Sequence, residues 1–173
     1  MSDIDVHGLY QGVVRRALRL ETRQRYAVPW EDEGLAAWRR GEPEPRTPQM
    51  ESTYETLRLV TATSRRIGRV RFVELPMNEY TRHEFEVAYP RLTEAGEEIH
   101  ILDRALHPEF DHVREDFVVF DEVSVMWYRY TAEDILTGYD YTEEPDVVRE
   151  CVALAEEVRA AAVPYREFMA RMS

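Results

Sequence analysis

The sequence contains no lysine; all 22 of its basic residues are arginine. That absence removes Schiff-base chemistry and the lysine of a phosphate-binding loop, and it reads as the mark of a GC-rich coding sequence. Cysteine is almost missing as well. Cys151 stands alone, which excludes an intramolecular disulfide and a multi-cysteine metal site and points to a reducing compartment. No apolar run approaches the length needed to cross a bilayer, and the opening MSDIDVHGLYQG lacks the basic-then-apolar build of a secretory signal. The expectation is a cytoplasmic protein with no membrane partner. Positive charge is scarce: 34 acidic residues face 22 arginines for a net charge of -12, which argues against direct binding of nucleic acid. Gly68 and Gly96 form no dinucleotide or phosphate-loop fingerprint, and no cofactor is expected.

What is present is enough for one α+β domain spanning residues 1–173, long enough to bury a core without staples. Val6, Leu9, Tyr10, Val13, Val14, Leu18 and Leu20 fall at largely helical spacing and predict an amphipathic helix over 6–20. A short helix fits Asp32 to Arg40, ended by Gly41. GEPEPRTPQ, dense in proline and charge, reads as a mobile surface connection. Ser52 and Glu55 have the spacing of a capping box, predicting a helix to about Ser64. RRIGRVRFVEL predicts a strand from Ile67 to Leu75, the stretch from Asn78 to Tyr89 a helix, and EIHIL a short strand after the turn at Ala95 and Gly96. Phe117 to Phe120, Val123 to Tyr130 and Ile135 to Tyr141 are strands with links too short for parallel crossovers, so an antiparallel meander is expected. Val147, Val148, Cys151, Leu154, Ala155 and Val158 then form one stripe of a helix ending near Pro164. The predicted architecture is an antiparallel sheet packed against helices, with a long C-terminal helix.

The blocks ETRQRYAVPWE, RRIGRVRFVELP followed by EY and TRHEFE, then AGEEI, DFVVFD and AVPYREF, in this order along nearly the whole chain, resemble the actinobacterial family of the domain of unknown function 6879. This chain departs from the family's usual pattern by carrying HPEFDHVRE before the DFVVFD block and Val118 where many members have tryptophan. The resemblance implies an α+β fold, a bacterial cytoplasmic setting and genes placed beside helix-turn-helix regulators. It implies no activity.

Arg65, Arg66, Arg69 and Arg71 form the strongest local anomaly in so acidic a chain. On a strand, Arg69 and Arg71 share a face, where they either hold a phosphate or carboxylate or pair with internal acids such as Glu21, Glu84 and Glu86. Arg25 and Tyr26, beside Pro29, either clamp an anion with them or strap the sheet, with Val28 and Trp30 as packing anchors. Arg82 completes the candidate ligand site of Arg25, Tyr26, Arg69, Arg71 and Arg82. Tyr80, His83 and Glu86 are the groups an acid–base pair would use, but His83-Glu84 lacks the second histidine of a zinc-hydrolase motif because position 87 is valine. His100, His107 and His112 are too irregularly spaced for a ligand set, so no metal is expected. Cys151 sits on the apolar stripe and reads as a packed thiol.

Two functions remain. The first is a noncatalytic regulatory or interaction domain whose partner is a helix-turn-helix regulator or another protein; it requires an exposed apolar patch. The second is a small enzyme or sensor that takes an anionic small molecule; it requires the arginines to converge.

Overall fold

Arg16-Ala17-Leu18-Arg19-Leu20-Glu21 sends alternate side chains to opposite faces, and in the computed structural model, which describes residues 4–27 and 29–172, it forms the strand β1 (Arg16–Glu21). The helix expected over 6–20 is therefore cut to α1 (Val6–Gln11), capped by the Asp5 carboxylate, which accepts from the Gly8 N–H. The apparent helical period arose by reading across the junction of a helix and an internal strand that is buried on both faces. The next helix lies where expected, α2 (Pro29–Arg39), and Gly41 with φ of 70° closes it. The capping-box reading at Ser52 is corrected. α3 (Pro48–Thr61) starts earlier, with Thr47 accepting from the Met50 N–H and Pro48 in the first turn, where its missing N–H costs nothing.

β2 (Arg66–Val73) leads into a helical stretch in which α4 (Glu79–His83), capped by Asn78, runs through a π-helical turn (Glu84–Ala88) into α5 (Tyr89–Glu94). Gly96, with φ of 105°, turns the chain into β3 (Glu98–Asp103); a Cβ there would lie 2.3 Å from the Thr61 hydroxyl. After two single 3₁₀ turns come β4 (Phe117–Phe120), β5 (Ser124–Tyr130), β6 (Leu136–Thr142), α6 (Pro145–Ala161), the two-residue β7 (Val163–Pro164) and α7 (Tyr165–Met172).

These strands make one seven-stranded sheet in the order β6-β5-β4-β1-β2-β3-β7. The α+β class stands, and the β4-β5-β6 meander is antiparallel as the short links require. β1, β2 and β3, however, are mutually parallel, which corrects the expectation of an antiparallel sheet throughout. The β1–β2 connection contains α2 and α3, and the β2–β3 connection contains the α4–α5 stretch, so both are long enough for crossovers.

Leu18, Leu20, Val70, Phe72, Phe117, Val119 and Val125 cover one face of the sheet and pack under Val148, Ala155 and Val158 of α6. Cys151 and Leu154 are partly buried against the same core, and burial pushes the Cys151 thiol up. Because Val158 is fully enclosed while Leu154 is only partly buried, Val158→Ala is expected to cost about 2 kcal/mol in equilibrium urea unfolding, and Leu154→Ala less. Equal losses would contradict this packing. The opposite face carries α3, α5 and α7 at one end and α1 at the other, and α2 and α4 meet between them around Tyr26, Leu35 and Tyr80.

Candidate functional site

The parallel register of β1 and β2 sets Arg19 beside Arg69 and Glu21 beside Arg71. All four leave the sheet on the face opposite α6, since Leu18, Leu20, Val70 and Phe72 occupy the other. The acid and the bases interleave. Glu21 accepts from Arg69 Nη1 at 3.0 and 3.1 Å and pairs with Arg19 Nη1 at 3.0 Å. Glu97, just before β3, takes Arg69 Nε and Nη2 in a two-pronged contact at 2.6 and 3.0 Å. Arg71, with a side chain 0% exposed, donates Nη2 to Glu84 at 2.7 Å.

Tyrosines wall this network. The guanidinium of Arg19 lies 4.2 Å from the Tyr128 ring centre, that of Arg71 4.9 Å from Tyr26, and that of Arg69 5.6 Å from Tyr89. Tyr26 donates its hydroxyl to Asp116 at 2.5 Å, and the same carboxylate accepts the N–H and hydroxyl of Thr22, so the turn after β1 is tied to the start of β4. Tyr80 donates to Glu31 of α2 at 2.8 Å. Burial raises the Tyr26, Tyr80 and Tyr89 hydroxyls well above their ordinary range, which keeps them neutral donors.

The carboxylates divide in character. Burial alone would raise the Glu21 carboxyl, but Arg19, Arg69 and Arg71 outweigh it and hold it at about 2. Glu84 goes the other way: burial pushes it up to about 8, an effect that Arg71 opposes and that Glu21 and Glu31 reinforce. Near neutral pH, Arg71 thus faces an acid that favours its proton. Two of the three nitrogens of this buried guanidinium, Nε and Nη1, have no hydrogen-bond partner among the described residues. Glu84 also opens the π-helical turn, a local widening of the helix that recurs at functional sites.

Of the residues singled out from the sequence, Tyr26, Arg69, Arg71 and Tyr80 lie in or against this network. Arg25 and Arg82 are exposed, the latter 5.4 Å from the Trp38 ring centre. Glu86 is exposed and accepts from Trp38 Nε1, and buried His83 turns to Glu44, with Nε2 3.3 Å from Oε1 without hydrogen-bond alignment. Tyr80, His83 and Glu86 are therefore held by three different carboxylate or indole partners. Glu44 also pairs with Arg91, which pins the proline-rich 41–47 segment to α5. Val28 and the side chain of Trp30 lie outside the described residues. Arg19 and Glu97 are members that sequence reasoning missed, and Asp116, which the sequence offers as a turn cap or one of a carboxylate pair, instead holds Tyr26 and Thr22. Arg19 was hidden by the helical reading of β1, though the alternation of RALRLE was a usable signal; Glu97 and Asp116 join through long-range contacts that leave no local pattern.

Among the described residues no group of three or more His, Cys, Asp or Glu is placed to share a metal ion, and no helix is long and apolar enough to cross a membrane. The segments that carry the family resemblance meet at the network: Glu21 and Tyr26 come from the first, Arg69 and Arg71 from the second, Tyr80 and Glu84 from EY and TRHEFE, Glu97 from AGEEI and Asp116 from DFVVFD. Tyr165 of AVPYREF backs it by donating to the Phe85 carbonyl at 2.5 Å. No curated protein matches the chain. The sequence profile described as Domain of unknown function (DUF6879) matches residues 5–170, nearly the full length, and the chain belongs to that family.

Proposed function

We propose that the chain is one noncatalytic regulatory domain of a bacterial cytoplasm, and that it senses a small molecule bearing a carboxylate or phosphate group at Arg71. The observation that carries this reading is the Arg71 guanidinium: a wholly buried cation with two nitrogens unpartnered and a neighbour, Glu84, that burial drives toward the neutral acid. A buried donor left unmatched costs on the order of 1–3 kcal/mol, and an anion brought to it recovers that cost and balances the charge. Glu84 serves as an internal stand-in, which an incoming anion displaces while the π-helical turn that carries it shifts. His83 and Glu86, turned toward Glu44 and Trp38, support a binding role over acid–base chemistry. A regulatory domain needs a recipient of its signal, and the resemblance makes a helix-turn-helix regulator one such partner.

Calorimetric titration with inorganic phosphate, succinate and citrate tests the site. At least one of these probes is expected to bind, and Arg71→Met is expected to weaken it by roughly tenfold or more while circular dichroism shows the fold retained. Arg25→Ala, at an exposed position outside the network, is expected to leave it unchanged. Binding of none of the probes, or undiminished binding by Arg71→Met, would overturn the proposal.

A further inference from the structure

A second feature lies at the far end of the same sheet face. α1 stands off the β4–β5 turn and the end of β6, and between them runs a groove of about 480 Å3. Its walls are Leu9 and Val13 from the α1 side, Phe120 and Tyr141 from the strands, and Val123 from the β4–β5 turn. Val123 is 62% exposed and Tyr141 39% exposed at its mouth. The two side chains border one apolar furrow, the kind of contiguous surface that takes a partner.

The surrounding charge says what kind of partner fits. Tyr141, a lining residue, donates its hydroxyl to Glu143, and exposed Glu144 follows it in the chain. Asp5 lines the groove from the α1 side, and Arg15 nearby is turned onto the Asp121 carbonyl. Asp5, Asp121 and Glu143 thus place carboxylates at the groove of a chain whose net charge is -12, so a second copy of this chain or an acidic segment is repelled, while a basic one is drawn in.

We infer that this groove docks a basic amphipathic segment of a protein partner, with its apolar side chains seated between α1 and β6 and its cations on the acidic rim. The groove matches such a segment in both respects, since anchors entering an apolar furrow and charges resting on its edge are how amphipathic helices are recognised. The inference does not depend on the Arg71 site.

Fluorescence anisotropy with the full chain tests it, using as probe a labelled synthetic peptide of about four helical turns with leucine on one face and lysine on the other. The lysine peptide is expected to bind, with affinity falling as salt is raised, whereas the same peptide with glutamate for lysine does not. Val123→Asp with Tyr141→Ser, both at exposed positions, is expected to weaken binding by roughly tenfold or more. Glu143→Gln with Glu144→Gln is expected to lower it several-fold and to flatten the salt dependence. Equal binding by the groove variant would mean that acidity alone attracts the peptide, and would overturn the inference. So would absence of binding, equal binding of the glutamate peptide, or a dimer in sedimentation that the groove variant dissolves.

Discussion

Arg69→Ala is expected to lower the unfolding free energy by about 3–5 kcal/mol, because it strands Glu21 and Glu97 as buried carboxylates with their main cation gone. The size follows from the geometry. Arg69 gives four hydrogen bonds to the two acids and keeps 14% of its side chain exposed, so water offers little replacement for the lost donors. Glu21 retains Arg19, but among the described residues Glu97 has no hydrogen bond to another guanidinium. Adding Glu97→Gln to Arg69→Ala is therefore expected to recover part of the loss, a coupling that a double-mutant cycle in urea reads directly. A single mutant within about 1 kcal/mol of wild type would show that the network is solvated and structurally unimportant.

The second large effect is a fall in stability as pH rises from about 5 to 8, assigned to Glu84. Its folded value of about 8 lies above the usual 4.5, so the folded protein keeps a proton that the unfolded chain releases. A carboxyl shifted upward contributes fully below about 4.5, and its contribution drains away as pH rises through 8. Glu21, held at about 2, runs in the opposite sense; its contribution is complete above 4.5 and is lost as pH falls toward 2. Removing the Glu84 ionisation with Glu84→Gln is expected to abolish a slope amounting to a few kcal/mol between pH 5 and 8, while leaving the acid limb unchanged. The check is urea unfolding of both proteins at a series of pH values. An identical slope in the two would mean that Arg71 keeps Glu84 ionised throughout.

The same side chains show how far sequence reading reaches. The strand of Arg69 and Arg71 was legible because RRIGRVRF alternates and is rich in β-branched and aromatic residues, and the hairpin at Asp121 and Glu122 because a polar pair separates two apolar runs. Asn78 announced the start of α4 by its side-chain capping chemistry. β1 was misread. The alternation of Leu18-Arg19-Leu20-Glu21 was a usable signal, but the short α1 before it completed a false helical pattern that ran across the junction. Thr47 was overlooked as a cap because Pro48, Gln49 and Met50 after it show no apolar period, while Ser52 and Glu55 offered a familiar spacing inside the helix.

The charge paradox of the arginine strand was visible from the sequence, including the two ways of resolving it. Two guanidinium groups on one strand face need compensation, and Glu21 and Glu84 were among the acids available to supply it. Which acids do so is a matter of register and of crossover. Parallel pairing brings Glu21 level with Arg71, and a π-helical turn rotates Glu84 inward while its near neighbour Glu86 stays in solvent. By itself, then, the sequence determined the α+β class, most helices and strands, the acidic field and the demand for a counter-charge at Arg69 and Arg71, since each follows from local periodicity or from composition. Only the tertiary structure decided that β1 to β3 are parallel, that Arg69 is fully compensated while Arg71 keeps two nitrogens unpartnered, and that Arg25 and Arg82 stand apart, because the distances that set burial and pairing join residues far apart in the chain.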